Sequence, residues 1–171
     1  VFDRSSDVHI WSLRRKLGEA RGYWEPLLDS PHQQSRVRAT LALTDILLDE
    51  GELTPVEAID RLERLRFSWR GGPLEFAISR RLGQLYLAAN EPRAGLTLLR
   101  QLAANFPDHA DAPAVTTAMA DAFRKLYLEG GADQLTPVTA VALYEEFREL
   151  TPAGADGDRM IAALADRMVK V

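Results

Sequence analysis

The sequence predicts an all-α protein built from helical hairpins. Apolar residues recur at three- and four-residue intervals through most of the 171 residues, which is the period of an amphipathic helix. Glycine, proline and asparagine interrupt this pattern at intervals, as they do between helices. Because neither sustained alternation of apolar and polar residues nor an Asn-Gly turn occurs, the sequence predicts no strands.

The N-terminal segment, residues 1–29, is predicted to be a helical cap or part of a preceding repeat. Four apolar residues share one helical face there: Ile10, Leu13, Leu17 and Ala20. Glycine and proline punctuate this face, which makes it the least regular part of the chain. Three large aromatic residues are expected to pack on the hairpin that follows: Trp11, Tyr23 and Trp24.

The repeat domain is predicted over residues 30–171, and its first hairpin spans residues 31–68. Ser30 is expected to cap the first helix, with Gln33 completing a capping box by reaching back to the Ser30 backbone N–H. That helix runs to Gly51, a natural C-terminal stop. The motif Thr54-Pro55-Val56-Glu57 repeats the capping chemistry and opens the second helix.

The second hairpin is predicted over residues 73–106. Gly71-Gly72-Pro73 ends the preceding helix and starts the next one. Asn90 tolerates the left-handed backbone conformation that a turn needs, and it leads into a helix from Pro92 to Asn105.

The third hairpin is predicted over residues 112–151, and a final helix over residues 157–170. Its first helix ends at Gly130-Gly131, and residues 130–136 form the longest internal loop. The second helix is predicted from Pro137 to Leu150.

The second helices of the three hairpins share one pattern. Each begins with proline, has a small residue three positions later, and then has apolar residues four and seven positions further on: Pro55-Ala58-Leu62-Leu65, Pro92-Gly95-Leu99-Leu102 and Pro137-Ala140-Tyr144-Phe147. The small residues are 37 and then 45 positions apart. We therefore expect the repeats to differ in loop length and not in helix pattern.

The central repeat resembles the tetratricopeptide repeat. The residues that carry this resemblance are Leu82-Gly83, Tyr86, Gly95, Leu99, Leu102 and Pro107, and looser copies extend it over residues 31–170. The resemblance implies a right-handed superhelix of about three and a half hairpins, because one such unit cannot bury its apolar face alone. It also implies a concave groove, formed by the first helices, that binds a peptide or a helix of a partner.

The family's groove positions imply a set of partner-binding residues. Counted from Gly83 and Ala120, these residues are Arg80, Gln84 and Leu87, then Thr117, Asp121 and Arg124, with Ala77 and Ala114 beside them. Trp69 is a further candidate, since a tryptophan flanked by arginines is common in interface hot spots. The alternative is that Trp69 folds over the end of its own hairpin and seals the core.

The sequence offers no catalytic, cofactor-binding or metal-binding motif. The three histidines His9, His32 and His109 are isolated, and cysteine is absent. No Gly-x-Ser-x-Gly elbow or phosphate-binding loop occurs, because the paired glycines lack the Lys-Ser/Thr that such a loop requires. We therefore expect a non-enzymatic protein without a cofactor or a bound metal.

Charge and composition restrict the expected partners and location. A net charge of -4 and a pI near 5.4 favour neither nucleic acid nor an anionic membrane as partner. Basic groups such as Arg14-Arg15-Lys16 and the arginines from Arg61 to Arg70 lie among acidic residues, so they are interpreted as salt-bridged helix faces. No apolar run is long enough for a membrane span. The compartment stays open, with the cytoplasm favoured.

The expected function is a protein–protein interaction scaffold. Two alternatives remain open: a self-associating structural segment that forms homo-oligomers, and a regulatory helical appendage of a larger protein. The chain begins at Val1 without methionine and ends within a helical pattern, so a fragment of a longer protein is expected. Arginine outnumbers lysine 18 to 3, which hints at a GC-rich bacterial source.

Overall fold

The computed structural model describes residues 16–169 and confirms the predicted all-α class, since no strand occurs among these residues. Residues 16–24 are helical and are named α1. The following helices are α2 (Gln33–Asp49), α3 (Pro55–Ser68), α4 (Gly72–Ala88), α5 (Pro92–Asn105), α6 (Ala112–Leu128), α7 (Pro137–Glu146) and α8 (Ala155–Val169). Short 3-10 helices lie at Glu25–Asp29, Gly131–Gln134 and Arg148–Leu150. The predicted features at His9, Ile10, Trp11, Leu13 and Arg14-Arg15 lie outside the described residues.

The chain divides into two compact units, Val1–Ile78 and Ser79–Val171. In the first, the N-terminal unit, α2 packs against α3 and against the 3-10 helix that follows α1. Its core contains the buried side chains Val37, Ala39, Leu43, Ala58 and Leu62. The Arg21 guanidinium, in α1, joins three carboxylates, those of Glu25, Glu50 and Glu52, and these raise its pKa. This ion cluster ties α1 to the turn between α2 and α3.

A capping box was predicted at the starts of both α2 and α3, and the structure contains only the second of them. The Thr54 side chain accepts a hydrogen bond from the Glu57 N–H, and Glu57 accepts one from the Thr54 N–H, so this capping box is confirmed. The box predicted for Ser30 and Gln33 is wrong. Helix α2 begins at Gln33 itself, and the Gln33 amide donates to the Ser68 carbonyl at the end of α3. Ser30 Oγ accepts the His32 N–H instead.

In the second unit, the C-terminal unit, α6 packs against both α5 and α8, and α8 also packs against α7. Its core contains the large buried side chains Leu82, Leu96, Leu99, Phe123, Phe147 and Met160. Helix α7 is shorter than predicted, because Phe147 leaves the helical conformation and a separate 3-10 turn follows it. The buried Phe147 ring lies 4.4 Å from the Arg100 guanidinium of α5. Helix α8 begins at Ala155, two residues earlier than predicted.

The unequal repeat spacing comes entirely from the connections between helices. Helices α3 and α5 each have 14 residues, and α4 and α6 each have 17. The connection from α4 to α5 is residues 89–91, whereas the connection from α6 to α7 is residues 129–136. The remaining difference lies in residues 106–111, which join α5 to α6 where residues 69–71 join α3 to α4. The prediction that helix pattern is kept while loop length varies is therefore confirmed for these helices.

Candidate partner-binding surface

The frame of the candidate surface is a close crossing of α4 and α5 at two glycines. A Cβ placed on Gly83 would lie 2.6 Å from Leu99 Cδ2. A Cβ placed on Gly95 would lie 2.9 Å from the Gly83 carbonyl oxygen and 2.7 Å from Leu87 Cγ. Only glycine allows this approach of two backbones. Two of the glycines that carry the repeat resemblance, Gly83 and Gly95, therefore lie where α4 and α5 approach most closely.

The connection between these helices is also closely defined. Asn90 has φ of 60°, the left-handed conformation that its sequence position predicted. The Glu91 N–H donates to the Tyr86 carbonyl at 2.8 Å, which closes the end of α4. Helix α5 then begins at Pro92, and the Glu91 side chain makes no capping hydrogen bond to it.

The predicted groove residues of α4 occupy different environments. Arg80 is half-buried, and its Nη1 lies 3.1 Å from Oδ2 of Asp111, just before α6. Gln84 is half-buried as well. Leu87 is turned toward α5, where its side chain occupies the space above Gly95. The positive charge of Arg80 is therefore paired within the unit.

The predicted groove residues of α6 are more exposed. Thr117 is exposed, and its hydroxyl donates to the Pro113 carbonyl one turn earlier. Asp121 is exposed, whereas Arg124 is half-buried with its Nη2 3.7 Å from Oε1 of Glu129. Both groove arginines, Arg80 and Arg124, are therefore paired to carboxylates.

Trp69, the remaining candidate, lies in the N-terminal unit at the end of α3. Its indole N–H donates to the Gly71 carbonyl at 3.1 Å, and its side chain is half-buried. The flanking arginines are paired with acidic residues, Arg66 with Glu63 and Arg70 with Glu75. The indole is thus bonded to the turn that follows α3, and sealing of the core by Trp69 stays a prediction. A role in partner binding stays a prediction.

A cleft lies between the C-terminal ends of α4 and α6, and it is named the α4–α6 cleft. Its volume is about 430 Å³. Its lining residues are Leu87, Ala88, Asn90, Pro92, Ala122, Lys125, Leu126, Glu129 and Gly131. Leu87 belongs to the predicted groove set. Sequence reasoning missed Lys125, although it directly follows the predicted residue Arg124.

A second cleft lies between the start of α5 and α7, and it is named the α5–α7 cleft. Its volume is about 360 Å³ and most of its wall is apolar. Its lining residues are Asn90, Glu91, Pro92, Arg93 and Ala94, together with Leu135, Val138, Thr139, Ala142 and Leu143. Arg93 Nε lies 2.7 Å from Oε2 of Glu146, so this cation is paired. The sequence offered no signal for this cleft because its walls are more than 40 residues apart.

A cluster of aromatic side chains lies between α6 and α7. The rings of Phe123 and Tyr144 are stacked with centroids 5.8 Å apart, and the Tyr127 ring meets each of them edge-on. The Tyr127 hydroxyl donates to the Ala140 carbonyl at 2.7 Å. Burial raises the pKa of Tyr127, since the charged phenolate is costly in an apolar site. This cluster fixes α7 against α6.

Two further features concern residues 16–169, the arrangement of metal-ligating side chains and the apolar character of the helices. No group of three or more histidine, cysteine, aspartate or glutamate side chains there is arranged to hold a metal ion. The Nδ1 atom of His109 accepts the Asp111 N–H at 3.1 Å, which is a turn contact. In the same part of the chain, no helix has both the length and the apolar character that crossing a membrane requires.

No protein-family model matches this chain, and neither a curated protein nor a solved structure is significantly similar to it. The tetratricopeptide resemblance therefore rests on the residue pattern and stays a prediction.

Proposed function

We propose that this chain is a tetratricopeptide-like, right-handed α-solenoid segment that acts as a non-enzymatic scaffold and binds a peptide or helix of a partner protein. The observation that carries the proposal is the α4–α6 cleft, which lies between two first helices of consecutive hairpins and includes the predicted groove residue Leu87. A cleft of this size, mostly apolar with a few polar groups at its edge, suits apolar side chains of a bound segment.

The other groove residues fit a role in orientation. Gln84, Thr117 and Asp121 lie on the same two helices and offer amide, hydroxyl and carboxylate groups for hydrogen bonds. Arg80 and Arg124 are already paired to Asp111 and Glu129, so a partner carboxylate would have to compete for them. Apolar burial therefore supplies most of the affinity in this proposal, and the polar residues supply register.

The test is a selection of random 12-residue peptides, displayed on phage, against the whole chain. Ala122→Arg places a charged side chain on the wall of the α4–α6 cleft, and Ala104→Arg is the matched control on the exposed side of α5. We expect selected peptides to bind Ala122→Arg at least about tenfold more weakly, because an unpaired charge is costly in an apolar site. Binding to Ala104→Arg should be unchanged. Failure to enrich any peptide, or equal binding to both variants, would contradict the proposal.

A second candidate function is self-association through α8. Three apolar residues of this helix are well exposed, with exposed fractions of 53% for Ile161, 50% for Met168 and 86% for Val169. Ile161 and Met168 are seven residues apart and share one helical face. If this face joins two copies, the mass from light scattering at raised protein concentration should be that of a dimer. An Ile161→Lys/Met168→Lys variant should then stay monomeric, whereas a monomeric natural chain would exclude this candidate.

A further inference from the structure

The two clefts of the C-terminal unit are neighbours across a single turn. Asn90 and Pro92 line both of them, so the α4–α5 turn forms the ridge that separates the clefts. The connection from α6 to α7 bounds both clefts as well, with Gly131 in one wall and Leu135 in the other. A segment that leaves the α4–α6 cleft over this ridge therefore arrives in the α5–α7 cleft.

The long connection between α6 and α7 is packed against the rest of the unit. It has five residues more than the connection between α4 and α5, as the ranges 129–136 and 89–91 show. Its 3-10 helix buries Ala132 completely, and the Asp133 carboxylate pairs with Arg167 of α8. Walls that are ordered before binding lower the entropy cost of binding. The longer connection of the third repeat therefore supplies part of the wall of each cleft.

The clefts differ in the sign of their unpaired charge. Within the described residues, the Glu91 carboxylate in the α5–α7 cleft and the Lys125 ammonium in the α4–α6 cleft have no ion-pair partner. The remaining charged residues that line the clefts are paired, Arg93 with Glu146 and Glu129 with Arg124. The surface therefore has one unpaired negative charge on the ridge, at Glu91, and one unpaired positive charge in the α4–α6 cleft, at Lys125.

The apolar part of the second cleft is available for contact. Val138, at the second position of α7, is 73% exposed, and Ala142 is exposed one turn further along the same wall. When an apolar group of a ligand covers exposed aliphatic side chains, apolar surface is removed from water and the free energy of the complex is lowered.

We infer that the bound segment is a peptide that crosses the α4–α5 turn and places apolar side chains in both clefts, with a basic residue beside Glu91 and an acidic residue beside Lys125. This inference rests on the proposed function. It adds the order of the charged residues along the bound peptide, and it adds the α5–α7 cleft as a second binding site for that peptide. The opposite unpaired charges fix the direction of the peptide, because the reversed peptide would place like charges together at Glu91 and at Lys125.

The experiment extends the same peptide selection to two further proteins. The double variant Glu91→Lys/Lys125→Glu reverses the charges and leaves both cavities in place. Ala142→Arg obstructs the α5–α7 cleft. Val138→Arg is an independent second obstruction, and the fold should tolerate it because the Val138 side chain is already exposed. Asp108→Lys, an exposed charge reversal that lines neither cleft, is the matched control. Circular dichroism verifies that each variant is folded.

Three outcomes are distinguishable. Peptides with one basic and one acidic residue that bind Ala142→Arg and Val138→Arg about tenfold more weakly, and whose charge order reverses on the double variant, support the inference. Peptides that lose binding with Ala122→Arg but bind Ala142→Arg, Val138→Arg and the double variant as well as the natural chain overturn the inference and leave the proposed function standing. If no selected peptide is sensitive to Ala122→Arg, the proposed function fails and the inference fails with it.

Discussion

The hairpin of α4 and α5 and the hairpin of α6 and α7 each begin with a helix of 17 residues, but their helices cross in different ways. Helices α4 and α5 meet backbone to backbone at Gly83 and Gly95. Helices α6 and α7 carry alanine at the corresponding positions and are joined by the aromatic cluster of Phe123, Tyr127 and Tyr144. The first crossing is limited by backbone atoms and the second by side chains. A repeat pattern can thus be kept while the interaction that holds each repeat changes.

The largest expected effect is the loss of the aromatic crossing. Phe123 is fully buried, and Phe123→Ala should lower the free energy of unfolding of the C-terminal unit by about 3–5 kcal/mol because it leaves a cavity. Tyr86→Ala, the corresponding change at the glycine crossing, should cost less, since Tyr86 is half-buried. Hydrogen exchange of peptides from α6 and α7 measures the difference locally. Equal costs for the two variants would show that both crossings depend on their aromatic residue.

The next effect concerns the glycine crossing. Gly95→Ala should destabilise the chain by about 1–3 kcal/mol, because the new methyl group meets the Gly83 carbonyl oxygen, which is backbone and cannot rotate away. Gly83→Ala should cost less, since its methyl group meets the Leu99 side chain and not backbone, whereas both substitutions gain about 1 kcal/mol in helix propensity. Urea denaturation followed by circular dichroism separates the two variants. If Gly83→Ala lowered the free energy of unfolding more than Gly95→Ala, the contact with the Leu99 side chain would be the tighter of the two.

A smaller effect separates the starts of α5 and α7. The Thr136 hydroxyl accepts the Thr139 N–H at 3.2 Å, whereas the Glu91 side chain makes no such bond at the start of α5. Thr136→Ala should therefore cost about 1 kcal/mol, the usual value of an N-cap. Thr136→Ser, which keeps the oxygen, is the control and should be close to the natural chain in thermal unfolding.

Tyr127 allows a test of similar size with a pH dependence. Tyr127→Phe removes the hydrogen bond to the Ala140 carbonyl and should cost about 1 kcal/mol at neutral pH. Because burial raises the pKa of Tyr127, the folded state keeps the phenolic proton after the unfolded state begins to lose it near pH 10. Stability should therefore fall as pH rises above about 10. Tyr127→Phe should reduce this fall, and Tyr23→Phe, at an exposed tyrosine, should not.

The smallest effect is expected at the ion pair between α5 and α7. Arg93 and Glu146 form an exposed pair at 2.7 Å, and Arg93→Ala should lower the free energy of unfolding by less than about 1 kcal/mol. Arg100→Ala should cost more, since this arginine also covers the Phe147 ring and donates to the Glu146 carbonyl. Urea denaturation of Arg93→Ala and Arg100→Ala at low and at high salt measures both effects. If Arg93→Ala lowered the free energy of unfolding by more than expected, and by the same amount at both salt concentrations, packing and not charge would join α5 to α7.

Much of the helical architecture was predictable because its signals are local. The Thr54 capping box, the left-handed Asn90 and the start of α5 at Pro92 follow from the conformations that these residues favour within a few positions. The capping box at Ser30 failed for a non-local reason: the Gln33 amide bonds to Ser68 at the end of the neighbouring helix.

The candidate surface was predictable only in part. The repeat register led to α4 and α6, and Leu87 does line a cleft there. It did not lead to the pairing of Arg80 with Asp111, nor to the cleft formed by α5 and α7. These features join residues tens of positions apart, and the periodicity of a single helix contains no information about them.

The sequence by itself determined the helical class, the helix limits within a few residues and the repeated pattern, because periodicity, capping and glycine or proline stops act over a few neighbouring residues. Only the tertiary structure decided which charges are neutralised and where a cavity remains. Glu91 and Lys125 are ordinary charged residues in the sequence, and only the folded chain places them at two neighbouring clefts that residues 89–91 and 129–136 border.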